Sequence, residues 1–182
     1  MTEESRRGTR RSRTTPQVRP ALRADAILLY TIGSSILKSD RHDLEVLLET
    51  FHANVQLQEQ CRTVYANARR YLALEVEGVD QRYKSATFIP AGELLAVYSG
   101  SLERVRSGEE EALNHSMDQG QIDFKYKLFV DGTPSLGDTR PGRLQLVNHC
   151  CEPSNNAVCE ELHCPDTGLI AYFLLSLSLI HI

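Results

Sequence analysis

The chain has 182 residues, of which 41% are hydrophobic and 24% are charged. This composition is typical of a globular protein and too apolar for an intrinsically disordered one. The net charge of −4 hides an asymmetry, because residues 1–23 carry seven arginines and two glutamates, a local +5, and the remainder carries −9. So acidic a body is a poor surface for nucleic acid.

Cysteine usage argues against a disulfide framework. There are five cysteines, an odd number, and four of them lie within residues 150–164. The Arg-rich N-terminus has no apolar segment like that of a secretory signal, and no apolar run approaches the roughly 20 residues of a membrane span. We therefore expect reduced thiols in an intracellular protein, nuclear or cytoplasmic, with no membrane partner.

The first 22 residues are rich in arginine, threonine, serine and proline, a composition that predicts a disordered basic tail. Two interpretations of its RRGTRRSR run stay open. It is either a solvated extension or a tail for nuclear import or polyanion binding. Nucleic-acid binding is therefore expected only through this tail, if at all.

Residues 23–74 are predicted to be helical. Apolar residues recur at helical spacing from Leu44 to Leu72, with a slight shift of face midway. Asp40 offers a helix N-cap, and a Gly-Ser-Ser interruption earlier in the segment suggests two helices. We expect the apolar stripe to pack on the domain that follows rather than to bind a separate partner.

After about residue 75, glycine and proline become frequent and the apolar runs become short. Five runs bounded by turn-forming residues are predicted strands, namely LLAVYSG, YKLFVDG, RLQLVNH, NAVCEEL and LIAYFLL. Residues 106–120 are the largest polar insertion and predict a surface loop with at most one helical turn. The predicted fold class is α+β, with a β-rich domain at residues 75–175 and a low-complexity tail at 176–182.

Three segments of the β-rich region carry the candidate functional residues. They are FIPAGELLAVYSGSL (88–102), KLFVDGTPSLGD (127–138) and RLQLVNHCCEPSNNAVCEEL (143–162). In the third, Asn148 and His149 end an apolar run and enter a tight loop, so their polar groups need hydrogen-bond partners. In this order the segments resemble the I-P-x-G-E, apolar-Asp-Gly and N-H-S-C-x-P motifs of SET-domain protein-lysine methyltransferases.

The resemblance implies a SET-like fold, S-adenosyl-L-methionine as cofactor and a protein lysine side chain as substrate. It implies that Asn148 and His149 contact the cofactor, and that Gly78 takes the place of the family's G-x-G glycines if the loop is two residues longer than in the family. It also implies that Tyr98, the tyrosine of Y-x-G, and Tyr126 lie in the lysine channel. In-line methyl transfer depends on alignment of amine, methyl and sulfur, and a desolvated channel lowers the pKa of the lysine. Without the resemblance, both tyrosines are half-buried strand aromatics and Asn148 is a loop-capping amide.

Several positions depart from the family's pattern. Residues 80–82 (Asp-Gln-Arg) stand where an ungapped alignment puts G-x-G, Gln145 replaces the usual arginine, and no G-E-E-L and D-Y segments follow residue 167. A Cβ at the G-x-G positions would keep the backbone away from the cofactor. We therefore expect that this sequence comes from an incomplete or artefactual reading frame of a methyltransferase. The activity of this chain is then expected to be weak or absent. The non-enzymatic alternative is a degenerate SET-like module that binds a protein partner.

Two other kinds of chemistry, zinc binding and nucleophilic catalysis by cysteine, are possible from the types of residue that the chain contains. Residues with zinc-binding side chains cluster in one stretch: His149, Cys150, Cys151, Cys159, His163 and Cys164. There is no C-x-x-C pair, however, and adjacent cysteines seldom hold one ion together, so we predict no metal site. Cys150 beside His149 is not a catalytic dyad, because neighbours along a strand point to opposite faces.

Overall fold

The computed structural model describes residues 28–33, 36–77, 80–108, 116–121, 126–133, 140–147 and 155–177. The predicted basic tail, Gly78, Asn148 and His149 therefore lie outside the described residues, as does the chain from residue 178. The described part of the chain forms two α-helices and nine short strands. It is an α+β, β-rich fold, which confirms the predicted fold class.

Two helices follow each other closely along the chain. Helix α1 spans Lys38–His52 and helix α2 spans Val55–Tyr71. Between them, the Asn54 side chain accepts a hydrogen bond from the Leu57 backbone amide at 2.9 Å, which caps the start of α2. The shift of face in the apolar stripe falls at this break, where Val55 is 71% exposed. The buried stripe consists of Leu44, Leu48 and Phe51 on α1 and of Leu57, Cys61, Val64, Ala68 and Tyr71 on α2.

The nine strands form three sheets. The four-stranded sheet has the order β1 (Tyr30–Ile32), β5 (Gly100–Arg106), β7 (Tyr126–Asp131), β6 (Ser116–Gln121), and only β1 and β5 are parallel. The hairpin pairs β2 (Leu72–Glu77) with β3 (Asp80–Ser85). The three-stranded antiparallel sheet has the order β4 (Leu94–Val97), β9 (Ile170–Ser176), β8 (Ala157–His163).

The main core holds the helices against two of these sheets. The Tyr30 ring of β1 stacks on Phe51 of α1 with ring centroids 5.1 Å apart. The Tyr30 hydroxyl donates to the backbone oxygen of Ile170 on β9 at 2.8 Å. One side chain therefore links a helix to strands of two sheets. None of the described helices combines the length and apolar character that crossing a membrane requires.

The structure corrects four local predictions. Tyr30–Ile32, inside the predicted helical segment 23–74, is a strand because it pairs with β5, about 70 residues later in the chain. Leu144–Leu146, inside the predicted strand RLQLVNH, form a short 3-10 turn that alternates half-buried and buried leucines. Ser116–Gln121, all but the last residue of which belong to the predicted loop 106–120, form β6 because β7 supplies the partner strand. The helix at 38–52 begins after Leu37, so Asp40 lies in its first turn rather than at its N-cap.

Candidate functional site

A cleft of about 450 Å³ lies among strands of both larger sheets. Its walls are mostly apolar, with two amide side chains, which is the usual composition of a small-molecule site of this size. The lining residues are Tyr98, Met117, Leu144, Val147, Asn155, Asn156, Ala157, Val158, Cys159 and Leu174. None of these described side chains is a carboxylate, an arginine or a lysine, so the cleft can desolvate a ligand without an opposing fixed charge.

Tyr98, one of the two tyrosines predicted to be catalytic, lines this cleft. It directly follows β4, where its backbone amide donates to the Tyr172 carbonyl at 2.9 Å. Its side chain is 7% exposed, and its hydroxyl packs against Gly132, where a Cβ would overlap the phenol oxygen. Gly132 therefore makes room for the tyrosine.

The surroundings of Tyr98 keep its phenol protonated. Burial, followed by the nearby Asp131 carboxylate, raises the pKa of Tyr98 to about 12, while a hydrogen bond from the Gly132 backbone amide acts in the opposite direction. Burial and a like charge both disfavour the phenolate. At neutral pH Tyr98 can therefore offer a hydrogen bond to a ligand, but it cannot serve as a base.

Tyr126, the second predicted catalytic tyrosine, lies at the other end of β7. Tyr126 pairs in register with Arg106 of β5, whereas Asp131, at the end of β7 near Tyr98, pairs with Ser101. The two ends of β7 are five residues apart, which corresponds to about 16 Å in an extended strand. The Arg104 guanidinium covers the Tyr126 ring at 4.2 Å. Tyr126 does not line the cleft, so the structure does not bring the two tyrosines together.

Residues 140–147 connect the cleft to the β2–β3 hairpin. The Val97 backbone amide donates to the Gly142 carbonyl at 2.8 Å, and the Gln145 side chain donates to the Ser99 carbonyl at 3.0 Å. Gln145, which stands where the SET family has an arginine, therefore ties this segment to the residue after Tyr98.

A buried arginine joins the same segment to the hairpin. Arg143 is only 1% exposed, and its guanidinium donates to the Gln81 side chain at 3.0 Å. Sequence reasoning missed this residue, although an arginine inside the apolar run RLQLV is an unusual signal, because a buried charge needs partners. Gln81 follows Gly78 by three residues, and Arg143 precedes Asn148 by five.

The predicted cofactor residues Asn148, His149 and Gly78 lie outside the described residues, but their neighbours in the chain are described. Val147 and Asn155, on either side of residues 148–154, both line the cleft. The Gln81–Arg143 hydrogen bond joins the chain near Gly78 to the chain that leads to Asn148. The described neighbours of all three predicted cofactor residues are thus linked to one region, next to Tyr98.

The described cysteines and histidines suggest no metal centre. Cys159 lies at the cleft, Cys164 is buried, and the exposed His163 faces Glu161 at 3.1 Å. Burial raises the pKa of the Cys159 thiol. Within the described ranges no three His, Cys, Asp or Glu side chains are grouped to hold an ion, and the other zinc candidates, His149, Cys150 and Cys151, lie outside those ranges.

The site is thus a largely apolar cleft with a neutral buried phenol and two asparagine amides. Such a cleft can orient a small ligand and exclude water from it, but its described residues supply no strong base. Searches with protein-family models and among the curated proteins found no significant match to this chain.

Proposed function

We propose that this chain carries the catalytic region of an S-adenosyl-L-methionine-dependent protein-lysine methyltransferase, weak or inactive as this chain, with the cleft beside Tyr98 as its centre. One observation carries the proposal. Tyr98, from the first SET-like segment, shares the cleft with Val147 and Asn155, the residues that flank Asn148 and His149 of the third segment. Described residues of the first and third SET-like segments therefore line one cavity.

The chemistry of the cleft suits this reaction. Its apolar walls, including Met117, Leu144 and Leu174, would desolvate a lysine side chain and favour its neutral, nucleophilic form. Tyr98, protonated at neutral pH, would orient the amine through its hydroxyl without adding charge.

The lining residues also fit the proposed cofactor. S-adenosyl-L-methionine supplies the methyl group from a cationic sulfonium, and none of the described lining side chains carries a positive charge that would repel it. The amides of Asn155 and Asn156 can hydrogen-bond a polar ligand group. Asn148 and His149 would complete the cofactor contacts that the resemblance implies.

A calorimetric titration of the full chain with S-adenosyl-L-methionine tests the proposal. We expect saturable binding that Asn148→Ala weakens at least about tenfold, the equivalent of one or two lost hydrogen bonds. The chain offers a matched control, because Asn114 and His115 repeat the Asn-His pair outside the three SET-like segments. Asn114→Ala should bind like the wild type, and equal losses in both variants would contradict the assignment.

A second candidate function is a SET-like module that binds a protein partner without catalysis. A specific observation favours it. Arg82, at the second glycine position of the ungapped G-x-G alignment, lies within strand β3 and pairs with Glu75 at 3.0 Å. A glycine position that leaves the backbone open to a cofactor would not carry such a side chain. A folded chain that fails to bind S-adenosyl-L-methionine would leave this function as the better supported one.

A further inference from the structure

We propose that a second cavity, separate from the cleft, binds an acidic side chain of a polypeptide partner. This cavity of about 370 Å³ lies between the C-terminal part of α2, the β2–β3 hairpin and the start of the 140–147 segment. It shares no lining residue with the cleft. The proposal uses none of the predicted cofactor or catalytic residues and does not depend on the proposed methyltransferase function.

Two arginines give the cavity its charge. Arg69 of α2 and Arg140 both line it, and no carboxylate is among its described lining residues. The Arg69 guanidinium stacks over the Tyr65 ring at 4.2 Å and donates to the Tyr65 hydroxyl. The Arg140 guanidinium donates to the Leu28 carbonyl at 3.0 Å, so a contact on the protein orients each guanidinium.

The geometry of these arginines suits a carboxylate. A guanidinium presents a planar fork of donors that matches a carboxylate, and stacking on an aromatic ring holds that fork in place before a ligand arrives. Arg69 makes no ion pair with a described carboxylate. A carboxylate bound in the cavity would therefore not have to displace an acidic residue of the described chain from Arg69.

The other lining residues indicate a peptide rather than a nucleic acid. Leu74 and Tyr83, which face each other across the hairpin, form an apolar wall with Pro141 beside the two arginines. An acidic side chain next to an apolar one on a short peptide would match both features. The chain beyond residue 23 carries a net charge of −9, which opposes a dense polyanion such as RNA or DNA more strongly than a short peptide with few carboxylates.

The experiment uses the full chain and a fluorescently labelled short peptide of alternating glutamate and leucine, with fluorescence anisotropy as the readout. We expect saturable binding that Arg69→Gln weakens about fivefold, as for one partly exposed charged contact. Arg70→Gln is the matched control: Arg70 also lies in the last turn of α2, so both variants remove the same charge from the same helix end. The control should bind like the wild type, and the two variants should show equally small losses of thermal stability, since each loses one cation from the helix end and one contact with an aromatic ring.

Three outcomes would overturn the proposal. The first is equal weakening by Arg69→Gln and Arg70→Gln, which would show general electrostatics instead of a cavity contact. The second is equally tight binding of the peptide with glutamine in place of glutamate, which would remove the carboxylate from the interaction. The third is a single-stranded RNA that binds more tightly than the acidic peptide and displaces it, which would assign the cavity to nucleic acid.

Discussion

The two tyrosines that the sequence predicts to be catalytic lie near opposite ends of strand β7, in different surroundings. At the Asp131 end, Tyr98 is buried beside Gly132 and lines the cleft. At the other end, Tyr126 is only half-buried and lies under the Arg104 guanidinium, which in turn pairs with Asp40 of α1 at 3.1 Å. One tyrosine is therefore part of a cavity wall and the other is part of a contact between a sheet and a helix.

This difference shows that the position of a tyrosine near a strand end does not decide its role. Tyr98 is enclosed because β4 and β9 hold its backbone and because glycine at position 132 leaves space for the phenol. Tyr126 is covered by the Arg104 guanidinium from the neighbouring strand, a type of contact that recurs in many proteins. The structure thus places Tyr98 in the wall of a cavity and Tyr126 in a contact between a sheet and a helix.

The largest expected effect on this comparison comes from removing each ring. Tyr98→Ala should lower the free energy of unfolding by about 3–5 kcal/mol, because it leaves a cavity where a buried aromatic packed. Tyr126→Ala should cost only about 1 kcal/mol, since the ring is half-buried. Urea unfolding of both variants, monitored by circular dichroism, gives the two values. Equal losses would mean that the two ends of β7 are not as different as their burial indicates.

Much of the secondary structure could be predicted from the sequence because it depends on local patterns. The apolar stripe of α1 and α2 and the short runs of β7, β8 and β9, which turn-forming residues bound, appear as predicted. The predictions failed where pairing over long distances decided the structure. Tyr30–Ile32 becomes a strand only because β5 lies beside it. The sequence of β6 is polar and has no strand pattern of its own, so that β6 depends on its pairing with β7.

The site was predictable only in part, for a related reason. The Y-x-G context identified Tyr98 as a candidate, but the sequence could not distinguish it from Tyr126, because the difference lies in neighbours such as Gly132 and Arg104 from other strands. The Arg143–Gln81 contact joins residues 62 positions apart, and no periodicity reveals such a pair. Asn155 and Asn156 are loop residues in the sequence pattern and in the structure, and only the fold shows that they line the cleft.

The next largest effect is the contribution of Tyr98 to the pH dependence of the free energy of unfolding. Burial and Asp131 raise the pKa of Tyr98 from its ordinary value of 10 to about 12. A phenol that binds its proton more tightly in the folded state stabilises that state fully below pH 10, and this stabilisation is lost as the pH rises from 10 through about 12. In Tyr98→Phe the free energy of unfolding should therefore fall less steeply above pH 10, by at most about 1.4 kcal/mol per pH unit.

Urea unfolding of the wild type and Tyr98→Phe at several pH values on both sides of pH 10 measures this difference. Some alkaline loss should remain in the variant, because burial also raises the pKa of Tyr30 and of Tyr172. The slopes of the two proteins should agree below pH 10 and separate above it. Identical slopes above pH 10 would mean that the Tyr98 phenol titrates alike in the folded and unfolded chains, which contradicts its enclosure.

The smallest expected effect concerns the Tyr126 end. Arg104→Gln removes the ion pair with Asp40 and the cation above Tyr126, and it should cost about 1 kcal/mol, since both contacts are partly exposed. The loss should shrink in high salt, because screening weakens the ion pair. Arg106→Gln, at the exposed position that pairs with Tyr126 across the sheet, removes the same charge without touching the Asp40 ion pair or the cation above the ring, and should change stability by less than about 0.5 kcal/mol. If the two variants lose the same stability, the contact between sheet and helix does not depend on Arg104, and the contrast between the ends of β7 then depends on the enclosure of Tyr98 alone.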